Sequence, residues 1–163
     1  METYFLRAAE PRDVAAIVGL IKELAAFERL SHLLEVDEQR LAPQLFGAQP
    51  AAEAMVAEAA GQVVAFALFF RNFSTFLAKP GLYLEDLYVQ PAWRGKGIGG
   101  AVLRRLAQLA VERGCGRFEW SVLDWNRDAI AVYEGLGATV MPEWRICRLA
   151  GEALLKAAQS NKD

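Results

Sequence analysis

The spacing of apolar residues separates helices from strands along the first part of the chain. The short segment from Thr3 to Arg7 is predicted as a first strand. From Pro11 to about Leu30, apolar residues recur at helical spacing, and proline suits the first turn of a helix. Asp37 can cap a second helix that Gly47 ends, and Pro43 inside that segment favours a kink.

The middle of the chain has the short apolar runs of buried strands. Ala54–Ala59 and Val63–Phe70 flank a Gly-Gln turn, and Leu82–Val89 forms a third run. Arg71 to Gly81 lacks such a pattern and is predicted as a loop.

Helical and strand patterns alternate over the rest of the chain. The predicted elements are a helix over Ile98–Arg113, a strand over Phe118–Leu123, a helix from Asp124 or Asn126 to Leu136, a strand over Arg145–Leu149 and a helix over Glu152–Gln159. This order predicts a mixed α/β fold with early antiparallel hairpins, a late β-α-β crossover and flanking helices, built as one domain over residues 1–163.

Composition narrows the class of protein. With 163 residues, 54% hydrophobic residues and a net charge of −2, the chain reads as globular and does not favour nucleic acid as a partner. The N-terminus lacks a signal-peptide pattern, and the longest apolar run is far short of the ~20 residues that span a membrane. We therefore expect a cytoplasmic protein without membrane contact. One histidine and two cysteines do not match a zinc pattern, so no metal is expected.

A glycine-rich segment is the sharpest local feature. Trp93-Arg94-Gly95-Lys96-Gly97-Ile98-Gly99-Gly100 follows a predicted strand and opens a predicted helix. Free N–H groups at a helix start attract anions, and glycines let a phosphate approach the backbone closely. The two cations add attraction. This pattern predicts a phosphate site, most plausibly for a diphosphate.

Other interpretations of the glycines compete. A Walker loop requires Ser or Thr after Gly-Lys, and Gly97 stands there. Gly95, Gly97 and Gly100 do satisfy the dinucleotide fingerprint, but four residues separate them from the strand, where that fingerprint has a tight turn. A tight turn without a ligand is the remaining alternative.

The segment Arg94 to Gly99 resembles the R/Q-x-x-G-x-G/A signature of the GNAT superfamily of N-acetyltransferases. Further segments resemble its diamine (spermidine/spermine N1-) acetyltransferase-like branch. They are Leu82–Val89, Asp124-Trp125-Asn126, Ala131-Val132-Tyr133, Leu136-Gly137-Ala138, Ile21–Ala25 with Phe27-Glu28, and Glu143-Trp144-Arg145. The resemblance implies the GNAT fold, acetyl-CoA as co-substrate and a homodimer.

The resemblance also implies which residues hold acetyl-CoA. Backbone groups of Leu87 and Val89 pair with the pantetheine arm, and the amides of the glycine loop hold the diphosphate. The full implied set is Leu87, Tyr88, Val89, Arg94, Gly95, Lys96, Gly97, Ile98, Gly99, Gly100 and Asn126.

Two residues are predicted to carry the chemistry. An alkylammonium has a pKa of about 10.4 and must lose a proton before its nitrogen can attack. Glu85, a carboxylate within an apolar strand, is the expected proton acceptor, directly or through one water. Tyr133 is expected to protonate the departing thiolate. Attack is expected to be direct, without an acyl-enzyme. Asp86 is predicted to point to the opposite face of the strand and to be structural.

The acceptor pocket is predicted from the same resemblance, which assigns Phe27, Glu28, Glu85, Glu119, Trp120 and Glu143 to it. These carboxylates favour a diamine, a polyamine or a lysine analogue such as thialysine. The segment after Gly47 and a short segment before Trp144 depart from the branch, which leaves the acceptor open. A protein N-terminus, an aminoglycoside and a non-catalytic acyl-CoA-binding module remain alternatives.

Overall fold

The computed structural model describes residues 3–159, which form a sheet flanked by helices. The strands are β1 (Tyr4–Ala8), β2 (Glu53–Ala59), β3 (Gln62–Ser74), β4 (Lys79–Val89) and β5 (Arg117–Trp120). The α-helices are α1 (Val14–Phe27), α2 (Glu38–Phe46), α3 (Ile98–Glu112), α4 (Arg127–Gly135) and α5 (Gly151–Gln159).

The sheet has the mixed topology that the sequence predicts. Its order is β1-β2-β3-β4-β5, and the first four strands are antiparallel neighbours. β5 pairs with β4 in parallel, after the crossover through α3. The predicted mixed α/β class, with antiparallel hairpins followed by one β-α-β unit, is confirmed.

The prediction of a loop from Arg71 to Gly81 is wrong. β3 and β4 continue through most of this range as a long hairpin, with Arg71 opposite Leu82 and Ser74 opposite Lys79. The turn at its end is closed by the backbone N–H of Leu77, which donates to Ser74 Oγ at 3.3 Å. The ladder forms because each strand supplies hydrogen-bond partners to the other, although its residues lack a strand-like apolar pattern.

Two further strand predictions are corrected. The segment 145–149 has no strand in the structure, and Ile146 and Leu149 within it are exposed. This segment takes part in none of the ladders between the described strands, and a strand requires such backbone pairing. The strand predicted from Phe118 to Leu123 ends at Trp120, because its pairing with β4 extends only to Leu84.

The helix boundaries largely follow the predicted caps. Asp37 Oδ1 accepts a hydrogen bond from the N–H of Arg40 at 2.8 Å, and α2 runs continuously past Pro43 to Phe46. Asn126 Oδ1 accepts from the N–H of Ala129 at 3.3 Å and caps α4. The predicted first helix begins as a 3₁₀ turn over Pro11–Asp13 before α1.

Helix α1 covers one face of the sheet. Ile17 and Leu20 of α1 pack in a buried cluster with Val56 of β2, Phe66 of β3 and Tyr88 of β4. Burial of such side chains stabilises the fold by about 1.5–3 kcal/mol each. The three strand residues are register neighbours, so they define the face that α1 covers, which is called here the α1 face.

The chain divides into two compact units, Met1–Ser121 and Val122–Asp163. The first contains the sheet with α1, α2 and α3, and the second contains α4 and α5. Within residues 3–159, none of the helices combines the length and the apolar character that crossing a membrane requires.

Candidate active site

The glycine loop joins β4 to α3 through two glycines in left-handed backbone conformation. Gly95 has φ 73° and Gly97 has φ 82°, values that side-chain-bearing residues adopt only with strain. Gly97 occupies the N-cap of α3, where most helices have a side-chain acceptor. Since glycine has none, the first amides of α3 are suited to an external anion. Glycine here is therefore a conformational requirement that also favours phosphate binding.

Arg94 connects the loop to β4 and to the end of α1. Its Nε donates a hydrogen bond to the carbonyl oxygen of Val89 at 2.9 Å. Its guanidinium carbon lies 5.2 Å from the ring centroid of Phe27 and 5.3 Å from that of Tyr88. Such stacking contributes about 0.5–1 kcal/mol at exposed sites. Arg94 thus connects the glycine loop to β4 and α1. The sequence alone predicted contacts of Arg94 with the phosphates and did not predict this structural role.

Lys96 of the glycine loop contacts an aromatic ring within the same loop. Its Nζ lies 4.4 Å from the ring centroid of Trp93, the last residue of the preceding 3₁₀ turn. The contact keeps a positive charge at the start of α3, where the helix dipole also favours anions.

The edge of β4 beside the loop is not covered by β5. The parallel ladder pairs Gly81–Leu84 with β5 and extends no further among the described strands. Among the described strands, the segment from Asp86 to Val89 therefore pairs only with β3. Leu87 and Val89 lie on this segment, so an extended ligand can run along the uncovered edge as an added strand would.

A β-bulge interrupts β4 at Glu85. Asp86 lies opposite Leu68 and Leu84 lies opposite Phe69, so Glu85 is the extra residue on its strand. Bulges bend a strand and increase its twist, which gives a reason why β5 separates from β4 at this point. The same irregularity changes which face each following side chain occupies.

Asp86 lies on the α1 face, two residues before Tyr88 on the same strand. Leu68 and Phe70 are two residues apart in β3 and share a face, and they pair with Asp86 and Tyr83 respectively. Without the bulge, simple alternation would put Asp86 on the face opposite to Tyr83, together with Leu84. The extra residue shifts the alternation by one position.

Burial and charge make Asp86 unusual. Burial raises the pKa of its carboxyl to about 6, with further contributions from the negative charges of Glu85 and Glu28. Burial also raises the pKa of Glu28, which directly follows α1. The side chains of Glu85 and Phe27 are both exposed to solvent. Asp86 thus interacts electrostatically with two other acidic residues, Glu85 and Glu28.

The remaining predicted pocket residues of the first unit lie on β5. Glu119 pairs in register with Tyr83 and is exposed, while Trp120 is half-buried with its ring centroid 4.9 Å from that of Phe118. Tyr83 Oη and Ser121 Oγ are hydrogen-bonded at 2.7 Å. Register partners in a sheet share a face, so Glu119 lies on the same face of the sheet as Tyr83 and Asp86.

The second unit carries the other predicted residues. Asn126 caps α4, and Tyr133 lies about two helical turns further along the same helix, where it is half-buried. Glu143 is exposed in a segment without helix or strand. Within this unit, therefore, Asn126 and Tyr133 share one rigid element.

A separate cleft in the first unit contains none of the predicted residues. It has a volume of about 490 Å³, and its walls include Arg7, Asp13, Glu23 and Glu58. Arg7 donates hydrogen bonds to Asp13 at 2.6 Å and to Glu58 at 2.9 Å. Because these opposite charges are already paired, a structural role accounts for them.

Known proteins resemble this chain over nearly its whole length. Residues 20–138 match the Acetyltransferase (GNAT) family. The thialysine N-epsilon-acetyltransferase of Mus musculus is 38% identical, over 94% of this chain and 96% of its own. The L-ornithine N5-acetyltransferase NATA1 of Arabidopsis thaliana is 36% identical, over 91% of this chain and 85% of its own.

A solved structure agrees with these relatives. The integron cassette protein VCH_CASS6 from the mobile metagenome of V. cholerae superposes with a TM-score of 0.82 and 26% identity, covering 98% of this chain and all of its own. The family match and the acetyltransferase relatives show that this protein is an N-acetyltransferase, and enzymes of this family use acetyl-CoA as co-substrate. The chain belongs to the acetyltransferase (GNAT) family, as the resemblance of its motifs predicted.

Proposed function

We propose that this enzyme transfers the acetyl group of acetyl-CoA to a primary amine of a small cationic acceptor, such as a diamine, a polyamine or a lysine analogue. The observation that carries the proposal is the group of carboxylates formed by Glu28, Glu85 and Asp86 at the uncovered end of β4. The negative charges of Glu85 and Glu28 both raise the pKa of Asp86, and a positively charged ligand relieves such repulsion.

The named activities of two relatives favour the same acceptor class. One acts on thialysine and the other on the N5 amine of L-ornithine, and both compounds carry a side-chain amine. A second positive charge on such an acceptor has partners in Glu119 of β5 and in Glu143. Phe27 offers apolar surface for the carbon chain between the charges. Trp120 pairs in register with Leu84, so it lies on the opposite face of the sheet from Glu119 and does not join this surface.

The acetyl-CoA site is assigned to the glycine loop and the uncovered edge of β4. The residues present fit the group, because glycines with positive φ leave room at the start of α3 and cations lie beside them. Acetyl-CoA supplies an activated acetyl group as a thioester. Amides from Gly95 to Gly100 hold its diphosphate, backbone groups of Leu87, Tyr88 and Val89 hold its arm, and Arg94, Lys96 and Asn126 add contacts.

The proton transfers are assigned to Glu85 and Tyr133. Glu85 takes a proton from the ammonium group, directly or through one water, and leaves a neutral nitrogen that can attack. A backbone N–H of β4 stabilises the oxyanion that follows. Tyr133 donates a proton to the departing sulfur. No acyl-enzyme forms in this scheme, and no metal takes part.

We propose further that residues 1–163 work as one catalytic domain in a cytoplasmic homodimer. The family match spans both compact units, which supports a single functional domain. Trp144 and Ile146 in the second unit are more than 70% exposed, and apolar side chains of this kind commonly lie at subunit contacts. Light scattering during size-exclusion chromatography measures the oligomeric state. A monomer at all protein concentrations contradicts the proposed dimer.

An acceptor panel tests the function. Thiol release from acetyl-CoA is measured with thialysine, L-ornithine, spermidine, an N-terminal peptide and an aminoglycoside, each against a reaction without acceptor. We expect the small diamines and lysine analogues to have the highest kcat/KM. Acetyl-CoA binding without thiol release on any amine identifies the chain as a binding module and refutes the proposal.

Tyr133→Phe tests the proposed acid. We expect kcat to fall by about 10²-fold, a typical contribution of general acid catalysis, while the affinity for acetyl-CoA is retained. The matched control is Val132→Ala, which alters an exposed neighbour on α4 and is expected to leave kcat unchanged. Unchanged turnover in Tyr133→Phe removes this residue from the mechanism.

A further inference from the structure

Two hydroxyl groups meet where the pairing between β4 and β5 ends. The hydroxyl of Tyr83, in β4, and the hydroxyl of Ser121, which directly follows β5, are hydrogen-bonded at 2.7 Å. The last register pair of these two strands joins Leu84 to Trp120, one residue before Ser121. The hydroxyl pair therefore lies next to the uncovered edge of β4, where the acetyl-CoA arm is assigned.

The residues around the hydroxyl pair form a polar row on the α1 face. Tyr83 pairs in register with Glu119, so these two side chains share a face. Arg117 and Ser121 each lie two residues from Glu119, which puts them on the same face. The row thus presents a cation, a carboxylate and two hydroxyls. Arg117 is exposed and forms no salt bridge with any residue from 3 to 159.

The hydroxyl pair is rigid and open to solvent. The ring centroid of Tyr83 lies 5.2 Å from that of Phe70, and its hydroxyl is bound to Ser121, so both ends of the side chain are fixed. Ser121 and Glu119 are exposed, and Tyr83 is half-buried. A ligand that reaches these groups from solvent does not have to order them first, which lowers the cost of binding.

The spacing along the sheet suits a short acceptor. Asp86 is opposite Leu68 in β3, and Tyr83 is opposite Phe70, two residues further along. Two residues of a strand correspond to about 7 Å. A basic amino acid has a similar length between its side-chain amine and its α-carbon. An acceptor whose reacting amine lies beside Asp86 thus reaches the polar row with its other end.

The chemistry of the row is complementary to a zwitterion. The two hydroxyls carry two protons, and their mutual hydrogen bond uses one, so one O–H can donate to a ligand. A ligand carboxylate accepts that bond, and the positive charge of Arg117 attracts it. Glu119 is an acceptor only, so it suits a ligand ammonium group. A polyamine has no group for the donor or for Arg117.

We propose that Tyr83, Arg117, Glu119 and Ser121, called here the head site, bind the α-ammonium and α-carboxylate groups of a basic amino acid whose side-chain amine is acetylated. This inference rests on the proposed function and narrows its acceptor, because it selects amino acids over diamines and polyamines. Tyr83 and Ser121 thereby gain a role in specificity that the motifs of the sequence did not reveal.

A matched pair of acceptors tests the head site. Putrescine is L-ornithine without its carboxylate, so the two compounds share a carbon chain and both amines. Thiol release is measured with each acceptor at saturating acetyl-CoA. We expect kcat/KM of the wild type to be higher for L-ornithine than for putrescine by about tenfold or more, the usual contribution of hydrogen bonds to a charged group.

Variants of the head site are expected to affect the two acceptors differently. Tyr83→Phe keeps the ring and should lower kcat/KM for L-ornithine by about tenfold, through a higher KM at unchanged kcat, with putrescine within about twofold. Arg117→Gln should act in the same direction. Glu119→Gln should lower kcat/KM for both acceptors, because both carry a distal ammonium group. The matched control is Thr75→Val, which removes an exposed hydroxyl at the far end of the β3–β4 hairpin and should change neither value.

Calorimetry gives a readout that does not depend on turnover. In protein saturated with CoA, which has no acetyl group to transfer, we expect L-ornithine to bind about tenfold or more tightly than putrescine. Tyr83→Phe should remove most of this difference. L-ornithine methyl ester keeps both amines but lacks the negative charge, and it should bind to the wild type as weakly as putrescine does.

The outcomes separate the head site from the proposed function. Equal kcat/KM for both acceptors in the wild type, or an unchanged preference in Tyr83→Phe, overturns the head site and leaves the acetyltransferase intact. An equal loss on both acceptors does the same, because it shows that the hydroxyl bond only joins β4 to β5. If Tyr83→Phe does not fold, the methyl ester decides, and equally tight binding of ester and L-ornithine overturns the head site. If the wild type acetylates no amine, the proposed function fails, and calorimetry then decides whether the head site exists.

Discussion

The carboxylate of Asp86 is expected to destabilise the fold at neutral pH, and its replacement by Asn should therefore stabilise the protein. Burial and two neighbouring negative charges raise its pKa from 3.8 to about 6. A group with a raised pKa in the folded state favours folding when protonated. This contribution is fully present below pH 3.8 and is lost as the pH rises through about 6.

The size of the effect follows from the pKa difference. One pKa unit corresponds to 1.36 kcal/mol, so the ionised Asp86 weakens folding at pH 7 by at most about 3 kcal/mol. Partial access of solvent to the carboxyl reduces this, and we expect Asp86→Asn to gain about 1–3 kcal/mol at pH 7. In a chain of this length, that corresponds to a melting temperature higher by about 2–12 °C.

Urea unfolding of the wild type and Asp86→Asn at pH 7 and pH 4 measures the gain. The midpoint should rise at pH 7 with an unchanged slope, and the difference should become small at pH 4, where folded Asp86 is protonated. Asp37→Asn is the control, because Asp37 is exposed at the N-cap of α2 and Asn caps a helix equally well. It should change the free energy of unfolding by less than about 0.5 kcal/mol at both pH values. A variant that is less stable at pH 7, or equally stabilised at both pH values, contradicts the reasoning.

Three further predictions concern the loop, the ion pair of Asp13 and metal dependence. Gly97→Ala should weaken acetyl-CoA binding in calorimetry and cost about 1–2 kcal/mol of stability from its positive φ, whereas Gly19→Ala inside α1 should gain about 0.5–1 kcal/mol. Asp13→Asn should lose about 2–3 kcal/mol in urea unfolding at pH 7, because Asp13 is buried and bound to Arg7. Arg7 lowers the pKa of Asp13, so this difference should shrink as the pH falls below 3.8, and a constant loss contradicts the pairing. Dialysis against a chelator should leave kcat unchanged, and activity restored only by an added divalent cation contradicts the metal-free scheme.

Local sequence determined most helices and the nature of the loop. The cap at Asp37, the cap at Asn126 and the apolar spacing of α1 act between residues a few positions apart, so they can be read without the fold. The signal from Gly95 and Gly97 is equally local, because glycine adopts their positive φ angles without help from distant residues. These features sufficed to predict the class of fold and a diphosphate site.

Tertiary structure decided the extent of strands and the character of the carboxylates. The 71–81 hairpin forms because its two halves pair with each other, whereas 145–149 takes part in no ladder among the described strands, and the spacing of apolar residues does not reveal such backbone pairing. The bulge at Glu85 likewise arises from the register of β4 against β3, and it puts Asp86 on the same face of the sheet as Tyr83. Proton affinity depends on burial and on charges from other elements, so the raised pKa of Asp86 emerges only when α1 and β4 are packed together.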